Sequence, residues 1–352
     1  MRHQMVAELR CGEGNPRNSE GSFITLNDGT IAFYYTRYCG DSAHDHGKAE
    51  IALIRSGDNG ASWSDSSTVI PPPETGNVMS VSLLRMADGR IMMVYLQKTP
   101  LPGTNVIDCR PLCRISADEG GSWSDAVTMI AAPGYFVGNN DHLVQTQEGR
   151  ILYPVSLHNW NNFSGITFVC CSDDNGETWH LSRTILPPAD NIDLNTGLQE
   201  PGVFQHPDGT VECWQRTNNR FQYHCFSGDL GETWDTPRPA PAFPSNRSPL
   251  QIKRNPADGT FIAVWNDTSI ARWQTPADCS SWCSARQRLV AAFSSDGKNW
   301  GDHYQIEYSA DGGYCYPAVT FTADKAILVA CCFAEDSPKN CLKNLRINKI
   351  FY

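Results

Sequence analysis

Arginine is the residue type in this chain with the clearest chemical use. The sequence carries 28 Lys and Arg against 38 Asp and Glu, a net charge of −10, and contains no basic block. That balance argues against a nucleic-acid-binding surface. A guanidinium in such a chain has a specific value, because its planar fork donates paired hydrogen bonds and never loses its charge. Three of them converging at one mouth would clamp a carboxylate or a sulfate. Two cysteine pairs, Cys109/Cys113 in CRPLC and Cys279/Cys283 in CSSWC, have spacings that could chelate a metal. Neither has a second cysteine pair or a His-rich stretch at suitable distance, so no metal is expected. Five aspartates (Asp58, Asp118, Asp174, Asp229 and Asp296) recur at near-even spacing, and their chemistry is structural. Each can accept backbone N–H bonds inside a tight turn, a following Gly takes a left-handed backbone angle, and a Trp tucks back against the hairpin.

These locks mark the elements that must position any site. They start at Ser56 (SGDNGASW), Ser116 (SADEGGSW), Ser172 (SDDNGETW), Ser227 (SGDLGETW) and Ser294 (SSDGKNW), at intervals of 60, 56, 55 and 67 residues. A period of this size belongs to an array whose unit cannot bury its own apolar face. Before most locks comes an apolar run, and before that a strand–turn–strand pattern: FITLNDGTIAFYY, LLRMADGRIMMVYL, LVQTQEGRILYPV, VFQHPDGTVECWQ and IKRNPADGTFIAVW. With the segment after each Trp, every unit holds four short strands. A sixth unit comes from YCYPAVTFTADKAILVACC plus the chain ends; Asp-Lys replaces the Asp-Gly turn there and the lock is absent. Six such units account for all 352 residues. The fold expected is an all-β, six-bladed propeller of four-stranded antiparallel blades in one domain, 1–352, which leaves few exposed strand edges. The last strand, LRINKIFY, is expected to pair with the first blade and close the ring.

Composition fits a large turn-rich body: 40 % hydrophobic and 19 % charged residues, with 28 Gly and 22 Pro. No run approaches membrane-spanning length, and the first residues, MRHQMVAELRCGEG, lack a signal-peptide core. The 14 cysteines have no disulfide-scaffold spacing, and Cys170, Cys171, Cys331 and Cys332 sit in apolar strands as reduced core thiols. The expectations are a cytoplasmic protein, no membrane partner, and a monomer or weak homo-oligomer.

The locks match the Asp-box pattern S-x-D-x-G-x-T-W, and from about Arg17 to the C-terminus the chain resembles the six-bladed sialidase (neuraminidase) superfamily. That resemblance implies three arginines on a substrate carboxylate, an Asp acid/base, and a Tyr nucleophile activated by a Glu. It places Arg17 of NPRNSEGSFITLNDG as the first arginine, with Arg37 the nearest rival; the usual R-I-P is replaced by Arg-Asn-Ser with Glu20 close behind. It places Asp45 of HDHG as the acid/base, with Asp41 on the same loop and His44 and His46 flanking it. GLQEPGVFQHPDGTVECWQR supplies Glu200 as the activating carboxylate and Arg216 as the second arginine, Glu212 being the weaker carboxylate candidate. RQRLVAAFSSDG supplies the third, Arg286, ahead of Arg288, and Arg247 stands near another inner strand. GGYCYPAVTF puts Tyr314 in register as the nucleophile, with Tyr316 two residues on and, in extended chain, facing the same way.

The chemistry needs these types. A 2-keto acid glycoside carries a carboxylate on its anomeric carbon, which repels a carboxylate nucleophile and tolerates a neutral phenol. No cofactor is required. Asp141, His142, His158 and Trp160 from the third unit, with Gln222 and Asn246 from later ones, are expected to ring the pocket and read the sugar. The implied activity is release of a terminal sialic acid or related ulosonic acid from a glycoconjugate. A glycosidase or lyase acting on another acidic sugar such as a uronic acid, and a non-catalytic glycan-binding propeller, are the rival readings; the Tyr–Glu pair favours catalysis.

Overall fold

The computed structural model describes residues 1–159, 164–186, 196–269, 284–336 and 341–352. Its strands form six antiparallel sheets arranged as the blades of a propeller. Blade one is Asn18–Thr25, Ile31–Tyr38, Ala49–Ser56 and Ser67–Ile70, from the inside outward. Blades two, four and five repeat that order, starting on the inner strands Asn77–Arg85, Gln199–Gln205 and Gln251–Arg254. In blade three the inner strand is interrupted: Phe136–Val137 and Val144–Gln145 both pair with Ile151–His158. Apolar side chains on facing sheets fill the space between neighbouring blades, as where Ile24, Tyr34 and Leu53 of blade one meet Leu83, Met93 and Tyr95 of blade two. This is the burial that one unit cannot achieve alone.

Ring closure differs in one respect from expectation. Asn344–Phe351 pairs with Arg2–Leu9, but that N-terminal strand is the outer edge of blade six, not part of blade one. The same arrangement explains the missing sixth lock. In the other blades the lock joins the third strand to the outermost one. In blade six those two strands come from opposite ends of the chain, so no such connection exists.

The locks are built as their composition dictates. At the first, Asp58 accepts the Ser62 N–H at 2.8 Å and the Ser62 hydroxyl at 2.6 Å, Ser56 Oγ accepts the Gly60 N–H, and Trp63 Nε1 donates to the Gly60 carbonyl. The turns after the inner strands of blades one to four each close with the Gly N–H on the carbonyl three residues back, and that of blade five is one residue longer. In blade six Lys325 takes the left-handed angle that Gly takes elsewhere, at φ 61°, and its N–H still reaches the Thr322 carbonyl.

The inner strands carry the feature that shapes the site. Four of them hold one extra residue, a β-bulge, in the pairing between Ser19 and Gly21, Met79 and Ser82, Gln199 and Gly202, and Cys315 and Ala318. At each bulge a non-glycine residue has positive φ: Glu20 at 46°, Ser80 at 56°, Glu200 at 41° and Tyr316 at 54°. Such angles cost on the order of 1–3 kcal/mol each and persist where the surroundings impose them. A bulge re-aims the side chain it carries. All four line one cavity of about 430 Å3 at the mouth of the ring.

Candidate active site

Tyr316 and Glu200 are joined at the centre of this cavity. The Tyr316 hydroxyl donates to Glu200 Oε1 at 2.5 Å, and Arg216 Nη1 donates to Glu200 Oε2 at 2.5 Å and reaches the Tyr316 hydroxyl at 3.3 Å. Arg216 ends the second strand of blade four, directly opposite Gln199, so the hairpin delivers it beside the Glu200 bulge. Burial works to raise the Glu200 carboxyl, and the Arg216 guanidinium, the Tyr316 hydrogen bond and the Arg286 charge together outweigh it, holding the group below the ordinary carboxylate range. Burial pushes the Tyr316 phenol well above its usual value, so it stands neutral with an anionic partner at hand.

Arg286 enters from a turn, Ser284–Arg286, ahead of the third strand of blade five. Its guanidinium lies 5.1 Å from the Tyr316 ring centroid, and Nη2 donates to the Arg247 carbonyl at 3.0 Å. Arg288, two residues on, is drawn away by a 2.6 Å ion pair with Asp267. Among the described residues, two guanidinium groups line the cavity, Arg216 and Arg286.

Asp45 stands at the rim. Its loop between the second and third strands of blade one is pinned to blade two, where Asn77 Nδ2 donates to the Asp45 and Gly47 carbonyls and Lys98 Nζ donates to the Asp45 carbonyl. The carboxylate accepts from Arg17 Nη1 at 2.5 Å. Burial of the loop raises its pKa, and the cations Arg17 and Lys98 outweigh that and hold it below the usual range. The Asp45 side chain is 54 % exposed, so water screens part of this attraction. Arg17 itself is 4 % exposed, stacked at 4.6 Å on Tyr38, and shared between Asp45 and Glu20. It stands behind those carboxylates rather than on the cavity wall.

His158 lines the cavity with Nε2 buried and without a partner among the described residues, as does Asn139 through Oδ1. Burial lowers the His158 imidazole to about 4, so it is neutral at ordinary pH. Polar atoms left unpaired at a cavity wall are what a polar ligand would satisfy.

Several expected site residues stand elsewhere. Tyr314 does not face the cavity; it packs between blades five and six beside Ile262, Leu289 and Val329, where burial pushes its phenol up to about 12. Alternation would have put Tyr314 and Tyr316 on one side, and the extra residue at the bulge breaks that alternation. Arg37 lies on the opposite face of its strand, where it pairs with Glu50 and donates to Ser66 and Thr68. Thr36, its neighbour, takes the position opposite Ser19 that Arg216 takes opposite Gln199.

Asp141 and His142 lie under the cavity as ties across the ring. Asp141 accepts from Ser22, Gln251, Lys253 and the Val319 N–H, drawing three other blades together. His142 bonds the Pro201 carbonyl and abuts the Trp214 ring. Gln222 is buried against the Ser248 carbonyl, Asn246 is buried beside it in the chain, and Arg247 serves through its carbonyl on Arg286; none of the three lines the cavity. Trp160 and the Cys279/Cys283 pair lie outside the described residues. Cys109 and Cys113 are free buried thiols in separate apolar clusters.

Sequence reasoning passed over Glu20 as a site residue, and with it Ser80, Lys98 and Tyr135 on the cavity wall. A signal for the first two was present. Glu200 stands eight residues before the turn aspartate Asp208; counting eight back from Asp28, Asp88 and Asp324 reaches Glu20, Ser80 and Tyr316. The same count selects Tyr316 over Tyr314.

A family model described as a BNR repeat-like domain matches residues 41–329. A sialidase from Paraclostridium sordellii is 27 % identical over 241 residues, covering 61 % of this chain and 56 % of that protein. A sialidase from Clostridium perfringens is 26 % identical over 269 residues, covering 67 % and 64 %. The chain thus spans less than two thirds of the length of either relative. Among solved structures, a protein of unknown function from Dyadobacter fermentans DSM 18053 superposes with a TM-score of 0.76 at 16 % identity, covering 99 % of both chains.

Proposed function

The chain belongs to the BNR repeat-like domain family, with the six-bladed fold of the sialidase superfamily, and on that premise we propose that it is a retaining exo-glycosidase releasing a terminal sialic acid or related ulosonic acid from glycoconjugates. The observation that carries this reading is the Tyr316–Glu200 hydrogen bond at 2.5 Å with Arg216 and Arg286 in the same cavity. A neutral phenol beside an ionised carboxylate suits attack on an anomeric carbon that bears a negative charge. A cavity of about 430 Å3 suits one sugar unit, hence action at a chain end.

In this reading the two arginines take the substrate carboxylate and orient the ring. The Tyr316 oxygen bonds to the anomeric carbon as its proton passes to Glu200. The bond from that carbon to the leaving oxygen breaks, and the oxygen takes a proton from Asp45. Asp45 then deprotonates a water, whose oxygen displaces Tyr316 from the anomeric carbon while Glu200 returns its proton to the phenol. Two inversions leave the configuration retained. Asp45 must be protonated to begin, yet Arg17 holds it ionised in the free protein. A substrate carboxylate nearby adds negative charge and raises the Asp45 pKa, so binding itself primes the acid.

The test is a product-resolved incubation with aryl sialosides, other ulosonides and glycuronides, followed by NMR. Release of the ulosonic acid, first as the anomer of the substrate's own configuration, is the expected outcome. An unsaturated uronic product would replace the reading with a lyase. Tight glycan binding without turnover would replace it with a binding module.

A further inference from the structure

The four bulge residues form two pairs of the same kind. Tyr316 donates to Glu200, and in the same way the Ser80 hydroxyl donates to Glu20 Oε2. Blades one and four are opposite in a ring of six, so Glu20 and Glu200 face each other across the cavity, and both are on its wall. The reacting pair uses only one side.

The Glu20 side has the properties of a reading site. The carboxyl is buried, and burial raises its pKa against the Arg17 charge and the Ser80 hydrogen bond, with the charges of Asp45 and then Glu200 adding to the rise. Its second oxygen is weakly served: Arg17 Nη2 and Ser19 Oγ each approach only to 3.4 Å, because Arg17 spends its short bond on Asp45. A carboxyl out of water with an acceptor oxygen only loosely bonded is costly to keep for packing alone. It also stands at a strained backbone angle that aims it inward. The chemistry it offers is acceptance of a hydrogen bond from a neutral or cationic donor, and repulsion of a second anion.

We propose that Glu20 and Ser80 form a specificity-determining pair that accepts a ring hydroxyl or amine of the bound sugar acid opposite the Tyr316–Glu200 pair. The pair selects sugar acids whose group at that position is an unblocked donor. Acylated sugars and those carrying a second acidic group there are rejected. This inference rests on the sugar-acid reading of the site.

The experiment combines enzyme and ligand changes. Wild type, Glu20→Gln and Ser80→Ala are tested by calorimetry against the free ulosonic acid and a series lacking one ring hydroxyl at a time, and by kinetics on the matching aryl glycosides. With the parent sugar, Glu20→Gln is expected to weaken binding and raise KM by about 10-fold or more, with kcat changed less. With one deoxy sugar, wild type is expected to bind as poorly as the variant, and the Glu20→Gln effect to shrink to within about 2-fold. A merely structural Glu20 would lower affinity by the same factor for every sugar, and that result overturns the proposal. Should Glu20→Gln fail to fold, Ser80→Ala carries the same cycle. Wild type that binds no sugar acid overturns this inference and the functional reading together; wild type that binds while each variant weakens binding by the same factor for every sugar of the deoxy series overturns this inference alone.

Discussion

The two ends of the inner hairpins obey opposite rules. At the turn end, the locks repeat one hydrogen-bond scheme, shortened by one residue in the fifth; the aspartates are exposed or half-buried, and the hydrogen bonds they accept come from within four residues of chain. At the mouth end, the four bulges carry a Glu, a Ser, a Glu and a Tyr in the left-handed region, all buried, bonded to other blades. Both ends contain non-glycine residues at positive φ, such as Asn59 and Leu230 in the locks. Those of the first four locks are followed by Gly, are half-buried and recur from blade to blade. Those of the mouth are of three residue types in four blades. The regular end stabilises the ring, and the irregular end is free to vary because the other does not.

The division of labour between the two ends fails if activity follows the wrong tyrosine. Tyr316→Phe is expected to lower kcat by at least about 10^3-fold while remaining folded, since it removes the attacking oxygen. Tyr314→Phe, changed in a packed interface, is expected to stay within about 2-fold. Steady-state kinetics on an aryl sialoside with circular dichroism as the folding control decides between them, and the reverse ranking would restore the Tyr314 assignment.

Arg216→Ala is expected to weaken carboxylated-sugar binding by about 100-fold, the loss of a charge-assisted contact. Arg216→Lys is expected to recover only part, because the fork is lost. Equal affinity in all three proteins, measured by calorimetry, would remove Arg216 from the clamp.

At the other end, Trp234→Ala in the fourth lock is expected to cost about 3 kcal/mol in urea denaturation, since its ring is buried against the third and fourth blades. Its kcat/KM is expected to match wild type below the unfolding transition. A fall in kcat/KM without loss of stability would blur the division between the ends.

Asp45 offers a subtler probe. Its free-enzyme pKa is lowered, so the carboxyl is ionised at ordinary pH, and kcat/KM for glycosides with poor leaving groups should decline as pH rises through that lowered value. The same shift contributes stability that is present above the unfolded-state value and lost as pH falls through the folded one. Arg17→Gln removes the chief cation and is expected to move the descending limb of kcat/KM to higher pH by about one unit. An unmoved limb would mean that another group sets it.

The smallest expected effect is in blade six, which has pairing between the chain ends in place of a lock. Amide exchange in Arg2–Leu9 should be faster than in the outer strand Arg238–Pro244 of blade four. Equal protection would mean that end-to-end pairing holds as well as a lock does.

What the sequence determined by itself is what depends on local chemistry. Repeat number, the Asp–Gly–Trp locks, the Asp-Gly turns and the placing of Glu200 with Arg216 are all set within a single unit, where turn residues and strand alternation act over a few positions. The rest depends on how the blades meet at the axis. The bulges lie on the inner strands, and in blade six one extra residue turns Tyr316 inward and leaves Tyr314 packed between blades five and six. Arg37 is taken by Glu50, Asp141 is consumed by three other blades, and Glu20 meets Ser80 from the next blade across a gap of 60 residues in the chain. Alternation counted along one strand cannot report an inserted residue, and it cannot report a partner that arrives from another blade.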